Sequence, residues 1–503
     1  MSGWCADLFR AIGSLLYWNS RKTLFRLRGA RGQAPCQNPS DSGRANETGC
    51  DACLHWRKPR RFRHVCPLLS LSAGGGPVCT VAAAKVRPFW GRALFFLGAG
   101  LSLTYLLLSL LAFGFLKQRG YEITFATVAL PSRWNRFPEI QARLFFNKGR
   151  EAYAAGRLNE AVLALSFAFE RSPDNYEAGA LLAWIWQASQ TTLSNRLYLQ
   201  LLRSHPDRRA ETAQRWYRIL LNRGDFTSIA HLAADQLANH PASTPAWVYA
   251  LLFASRQMPK AGLLAKALER AHAFAPEVRK VLELEEKLRS LDPSAAVSVV
   301  LDSDNGSPAT SLELYHRIDS LIRLKRGGEA LEILRSHGPI LDERSRASLK
   351  LAALGVTRDV SARRREIESL LGSGTTLGAV EFLTANLITY PEPQLSGLYF
   401  ALLEKHPLAA TAENFGGYAA LYCLASLSND AERTRLLADV LRQISGTPLT
   451  FLTGIEHFLH GDAEDQRLST YLSRLQSLPI EVVFALYERF QTAPGRTREG
   501  RQQ

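Results

Sequence analysis

The chain has 503 residues, 46% of them hydrophobic and 21% charged, which is enough for more than one buried core and too apolar for a disordered polymer. Its net charge of +15 is concentrated: residues 1–92 hold fifteen Lys/Arg against four Asp/Glu, a net of +11, leaving only +4 for the rest. So local an excess argues against a basic stripe on the folded domain, and no nucleic-acid partner is expected.

Residues 1–35 form a basic amphipathic segment. Asp7–Trp18 places Leu8, Ile12, Leu15 and Leu16 on one helical face, followed by Arg21, Lys22, Arg26 and Arg28. Such a helix suits a membrane surface, or equally a small domain packed against it.

Residues 36–90 are a cysteine-rich juxtamembrane region. Cys50 and Cys53 have the spacing that puts two thiolates on one tetrahedral ion, and Cys36 and Cys66 can complete a four-cysteine site. His55, His64 and Cys79 are substitutes. The reading is a structural zinc, with ordinary free thiols as the alternative. Beyond residue 90 only Cys423 remains, so the rest of the chain must be stable without an internal disulfide.

Residues 93–116, ALFFLGAGLSLTYLLLSLLAFGFL, carry no charge. At about 1.5 Å per residue they span ~36 Å, more than a hydrocarbon core of about 30 Å. One transmembrane helix is expected. Lys85, Arg87 and Arg92 precede it, backed by the basic cluster at 57–63, whereas Lys117 and Arg119 follow. The excess places the amino end in the cytoplasm and the carboxyl-terminal part outside, periplasmic in a diderm cell. In the connector 117–139, Tyr121–Leu130 alternates and is β-branched, which predicts a short strand or extended linker ended by Pro131. Arg133, Trp134 and Phe137 read as a collar at the membrane interface.

Residues 140–276 carry a repeating signal. Gly149, the turn glycine Gly156, Ala161, Ala168 and the terminator Pro173 describe two helices with small residues where they cross. A unit of that kind cannot bury its own apolar face and must stack on copies of itself. Gly224 and Pro241 repeat the 17-residue spacing of Gly156 and Pro173, and Pro173, Pro206, Pro241 and Pro276 recur at 33, 35 and 35 residues. Four units are expected.

This stretch resembles the tetratricopeptide repeat (TPR) family, as found in bacterial membrane-anchored TPR proteins. Phe145 stands at the usual Trp, and Gly149, Gly156, Leu158, Glu160, Ala161, Leu165, Ala168 and Pro173 follow the consensus, while Lys148 and Ala152 depart from it. The resemblance implies a concave groove for a protein or peptide, lined by the first helix of each unit. Carried over, the groove positions are Arg143, Phe146, Asn147, Arg150 and Tyr153 in the first unit, Trp184 and Gln187 in the second, and Gln214, Arg215 and Arg218 in the third. Arginines beside aromatic rings suit an extended acidic peptide or a terminal carboxylate.

A helix and loop linker is expected over 277–311, with Pro293–Thr310 as loop. Asp302–Gly306 only superficially suggests a calcium loop, because Gly306 comes one residue early. Degenerate helical repeats follow over 312–490, the first shortened at Gly327-Gly328, and a disordered tail over 491–503. The fold class is therefore all-α: a TPR-like helical-repeat solenoid behind one transmembrane helix and a small Cys-rich amino-terminal region.

The sequence contains no GxxxxGK, HExxH, GxSxG or GxGxxG in a suitable context, and no catalytic residue is assigned. His205, His240 and His406 each precede a proline at the ends of separate units and read as structural. The expected function is a membrane-anchored protein–protein interaction scaffold in envelope assembly or export, not an enzyme. A small-molecule substrate is not expected, nor any cofactor beyond the zinc. A second reading is a metal- or thiol-linked sensor whose cysteine state is relayed by the repeats, and a third is an enzyme with a site in the 312–490 half that no motif marks.

Overall fold

The computed structural model describes residues 89–492 apart from 240–243, 303–309, 373, 447–448, 450, 462–467 and 473–474, and, before 89, only 13, 16, 20, 69–71, 73–74 and 77–79. The described chain is helical except for a hairpin of β1 (Leu69–Leu71) and β2 (Pro77–Cys79), paired antiparallel with Leu69 opposite Cys79. It divides into two compact units, Met1–Glu151 with Glu170–Ser172, and Ala152–Phe169 with Pro173–Gln503.

The first unit is dominated by α1 (Phe89–Gln118), of which Leu97–Gln118 is long and apolar enough to cross a membrane. Most of its side chains are exposed, Leu97, Leu103, Leu108 and Leu111 each by 60% or more, so it is not the core helix of a soluble domain. Where the alternation at 121–130 predicts a strand or extended linker, the chain is extended only to Thr124 and then forms the short helix α2 (Phe125–Ala129). A lone strand there would leave its ladder groups unpaired; the helical turn pairs some internally and lets α2 pack along α1. A 3₁₀ turn, Pro131–Arg136, leads into α3 (Phe137–Ala154).

The second unit begins at Ala152, in the last turn of α3, and continues through α4 (Leu158–Arg171), α5 (Tyr176–Trp186), α6 (Thr191–Ser204), α7 (Arg209–Arg223), α8 (Phe226–Asn239), α9 (Thr244–Gln257) and α10 (Leu263–Leu268). Then come α11 (Pro276–Ser290), α12 (Pro293–Asp302), α13 (Ser311–Arg323), α14 (Gly327–His337), α15 (Glu343–Thr357), α16 (Val360–Leu371), α17 (Leu377–Thr389) and α18 (Pro393–Lys405). The last are α19 (Phe415–Leu427), α20 (Ala431–Ser445), α21 (Phe451–His460), α22 (Leu468–Leu472) and α23 (Ile480–Thr492).

One turn recurs between these helices. At Gly156, Gly224, Lys325, Arg358 and Asn429 the backbone enters the left-handed region, with φ of 74°, 69°, 64°, 58° and 56°. Each of these residues donates its N–H to the carbonyl three residues back, and the following residue donates to the carbonyl five back, as in Arg157 to Ala152 and Asp430 to Ala425. This closes the last turn of one helix. The next helix then starts at once, and Asp225, Asp359 and Asp430 cap it by accepting the N–H of Ser228, Ala362 and Arg433. Gly224 lies 68 residues after Gly156 and Arg358 lies 33 after Lys325, so the turns keep a period near 34.

Two expectations are corrected. Pro293–Thr310 is not a loop throughout: its first part is α12, because Pro293 sits at the first helical position and Asp292 caps the start through Ser294 and Ala295. The turn before α14 is at Leu324–Arg326, not at Gly327-Gly328. Gly327 is there for packing, since a Cβ on it would lie 2.6 Å from the Ala353 carbonyl oxygen. The calcium-like stretch lies largely outside the described residues. Its would-be twelfth residue, Glu313, closes a capping box with Thr310.

From α9 onward the odd-numbered helices stack on one another, α9 on α11, α11 on α13, and so on to α21, while even-numbered helices pack beside them. The apolar core runs along this stack. One section of it joins Val300, Leu314, Ile318, Leu321, Ala330, Leu349 and Ala353. The carboxyl-terminal α23 packs against the inner helices, most extensively α17.

Candidate functional site

On α3, in the first unit, Arg143, Phe146, Asn147 and Arg150 recur at helical spacing along one face. Arg143 and Arg150 are exposed, and Phe146 and Asn147 are half-buried. Arg143 lies 3.9 Å from Glu122 and 4.0 Å from Glu139, long and solvated contacts that leave its guanidinium able to pair elsewhere. The Arg150 guanidinium stands over the Phe146 ring, 5.8 Å from its centre.

In the second unit the structure brings two predicted residues together. Trp184 Nε1 donates to the Tyr153 hydroxyl at 3.1 Å, joining positions 31 residues apart. Tyr153 is exposed and Trp184 half-buried. Gln187 closes α5 and is only 9% exposed, so a partner could not reach it without displacing the helix end. Gln214, Arg215 and Arg218 are exposed along α7, and Arg215 pairs with Glu211 at 2.6 Å. His205 lies edge-on to Tyr176 with ring centres 5.4 Å apart, a packing role at the unit's end.

The inner surface beyond this third unit is filled by the chain itself. Val482, Val483, Ala485, Leu486 and Tyr487 of α23 are all under 10% exposed, so a little more than half of the helix circumference is buried. Tyr487 donates its hydroxyl to the Leu221 carbonyl of α7 at 2.9 Å. The Phe484 ring lies 4.2 Å from Phe253 of α9, centre to centre, and Phe490 lies 4.9 Å from Phe458 of α21. Arg489 donates to the Ile388 carbonyl of α17. Arg344 of α15 pairs with Glu481 at 2.8 Å, and Arg323 of α13 with Glu488 at 3.3 Å.

Beside α23 lies a network that the sequence reading did not single out. Arg256 Nε and Nη2 each donate to the Glu285 carboxylate at 2.7 Å, and Arg256 Nη1 donates to Asp319 at 3.1 Å. His316 Nε2 lies 3.0 Å from Glu285 Oε2, and Arg323 Nε lies 3.3 Å from Asp319. Burial acts to raise both carboxyls, but the charge and hydrogen bonds of Arg256 outweigh it and hold Glu285 and Asp319 below the usual carboxylate range. Glu488 goes the other way: burial raises it, and Arg323 only partly compensates.

Ser320 completes a Ser–His–Glu sequence with His316 and Glu285, yet its geometry does not suit a nucleophile. The Ser320 hydroxyl donates to the His316 backbone carbonyl at 2.7 Å, its contact to His316 Nδ1 is 3.4 Å, and Ser320, His316 and Glu285 are all under 10% exposed. The network ties helices together. Its residues are scattered over α9, α11 and α13, so no local motif could have signalled it.

Cys36, Cys50, Cys53 and Cys66 lie outside the described residues. Among the described residues no group of three His, Cys, Asp or Glu side chains is arranged to hold a metal. No protein-family model matches the chain, and no curated protein matches it either.

Proposed function

We propose that the chain is a single-pass membrane scaffold of the TPR type, which holds a protein partner beside the membrane in an envelope assembly or export system. The amino end is cytoplasmic and the repeats lie outside. The observation that carries this reading is the recurrence of one left-handed turn near a 34-residue period in a chain that also has, among the described residues, one helix long and apolar enough to cross a membrane. That combination supports a repeat scaffold held at a bilayer.

Within the second unit α23 packs along the inner helices, and this favours the hydrogen-bonded pair Tyr153 and Trp184, with the exposed Gln214, Arg215 and Arg218, as partner positions. Within the first unit the exposed Arg143 and Arg150 of α3 are a separate candidate. Arg143 and Arg150 favour an acidic segment.

A photocrosslinking amino acid at Trp184 in membranes should capture a discrete partner that is not captured from Leu436, an exposed position on α20. Equal capture at both sites, or at neither, would sink the groove reading. Reporter fusions after Ser40 and after Gln503 check the topology, which requires opposite sides.

A further inference from the structure

We infer that the chain does not leave the membrane at the end of α1: residues 125–136 fold back into the same leaflet and bind the lipid surface. This rests on the reading of α1 as a membrane span.

Two contacts fix the return path: Phe125 meets Phe113 edge-to-face at 6.0 Å, and Tyr105 donates its hydroxyl to the Ala129 carbonyl at 2.8 Å. Ser109, between Tyr105 and Phe113, is the one buried residue in Leu97–Gln118, and Thr127, between Phe125 and Ala129, is buried too. Phe113 and Tyr105 lie eight residues apart on one face of α1, and their partners Phe125 and Ala129 run in the reverse direction. Entering the hydrocarbon at Ala93 and rising ~1.5 Å per residue, α1 reaches the far boundary of a core about 30 Å thick near Phe113. Tyr105 then lies eight residues, roughly 12 Å, inside it, and Ala129 is held at that depth.

The polar chemistry fits that depth. The end of a helix leaves carbonyls without partners, which is cheap in water and costly in hydrocarbon. At the end of α2 two of them are met by aromatic side-chain donors: Ala129 by Tyr105, and Val128 by Trp134 Nε1 at 3.0 Å. Thr124 and Thr127 pair their hydroxyls at 2.9 Å. The large apolar and aromatic side chains Phe125 (37%), Leu130 (45%) and Trp134 (53%) are exposed, and the exposed polar residues of 125–136, Ser132, Arg133, Asn135 and Arg136, all lie in the 3₁₀ turn after Leu130. Arg133 and Arg136, exposed in the ascending 3₁₀ turn, are long enough to bring their guanidinium groups to phospholipid phosphates. Tyr121 stacks on Phe137 and marks where the descending and ascending arms meet again.

The test is spin-label accessibility in the full-length protein with its native cysteines replaced, reconstituted into phosphatidylcholine–phosphatidylglycerol vesicles. Labels go at Leu101→Cys on α1, Leu130→Cys on the returning segment and Arg150→Cys on α3. The ratio of oxygen to nickel-chelate collisions at Leu130 should match that at Leu101 and exceed that at Arg150 by roughly tenfold, as expected for hydrocarbon against water. A water-like ratio at Leu130 beside a lipid-like ratio at Leu101 would overturn the re-entry and leave the span standing. Water-like ratios at both would remove the span and the inference together.

Discussion

The Tyr487 hydroxyl donates to the backbone carbonyl of Leu221, 266 residues earlier in the chain. That bond ties the carboxyl-terminal helix to the third predicted repeat and turns what looks like an open array into a filled one. It also ranks the changes that should matter. Tyr487→Phe removes one buried hydrogen bond and should cost about 1 kcal/mol, whereas Leu486→Ala opens a cavity in the middle of the unit and should cost ~2–5 kcal/mol. Denaturant unfolding of the detergent-solubilised protein measures both. Similar small losses would mean that α23 is a loosely held tail.

The Arg256–Glu285 pair should be intolerant of losing one partner. Glu285→Gln leaves a buried guanidinium poorly matched and is expected to destabilise by about 3–5 kcal/mol, while replacing both residues by apolar ones of similar size should cost much less. A double-mutant cycle gives the coupling, and additive losses would contradict the geometry.

Acid should act in two stages. Glu488 is raised in the folded state, so on acidification from neutrality the fold takes up that proton before the unfolded chain does, and stability holds or rises. Glu285 and Asp319 are depressed, so their contribution is complete above the unfolded carboxylate range of about 4 and drains away as pH falls below it. Unfolding curves between neutrality and strong acid should show a plateau or slight gain and then a loss. Glu488→Gln should flatten the first stage and spare the second.

Cys423 should be chemically silent. It is 1% exposed on α19, and burial pushes its thiol up to about 12, so little thiolate exists at neutral pH. Peptide-level iodoacetamide labelling should find it unmodified in the native protein and fully modified after unfolding. Fast native labelling would place it at an opening surface.

Glycines in this fold do two separable jobs, and substitution should tell them apart. Gly355 lies within helix α15, where a Cβ would meet Tyr390 Cγ at 2.5 Å, so Gly355→Ala should cost ~1–3 kcal/mol through overpacking. At Arg358 the left-handed backbone carries a side chain, so Arg358→Gly should be neutral or stabilising by up to about 1 kcal/mol. Thermal midpoints of the two variants should move in opposite directions, or only the first should move.

That contrast explains how much was legible. The apolar span and the first repeats are local signals, written in consecutive residues, and both helices and turn glycines stand where the spacing puts them. Beyond residue 276 the same turn is built on Lys325, Arg358 and Asn429, none of them glycine, so the structural period persists after its sequence mark has faded. The alternation at 121–130 predicts a short strand or extended linker and the chain forms a short helix from Phe125, because alternation says nothing about whether a pairing strand exists. The filling of the inner face by α23, and the charges around Arg256, depend on contacts between residues tens to hundreds of positions apart, which no window on the sequence can see.

The placement of α23 also sets a clock. The ribosome makes it after every inner helix it covers, and 266 residues separate Leu221 from its partner. At ~5–20 residues per second, the inner faces of α7 and α9 wait on the order of ten to fifty seconds with their aromatic rings uncovered. Until α23 arrives, Phe253, which the rings of Phe484 and Tyr487 meet in the finished fold, lacks these two aromatic neighbours.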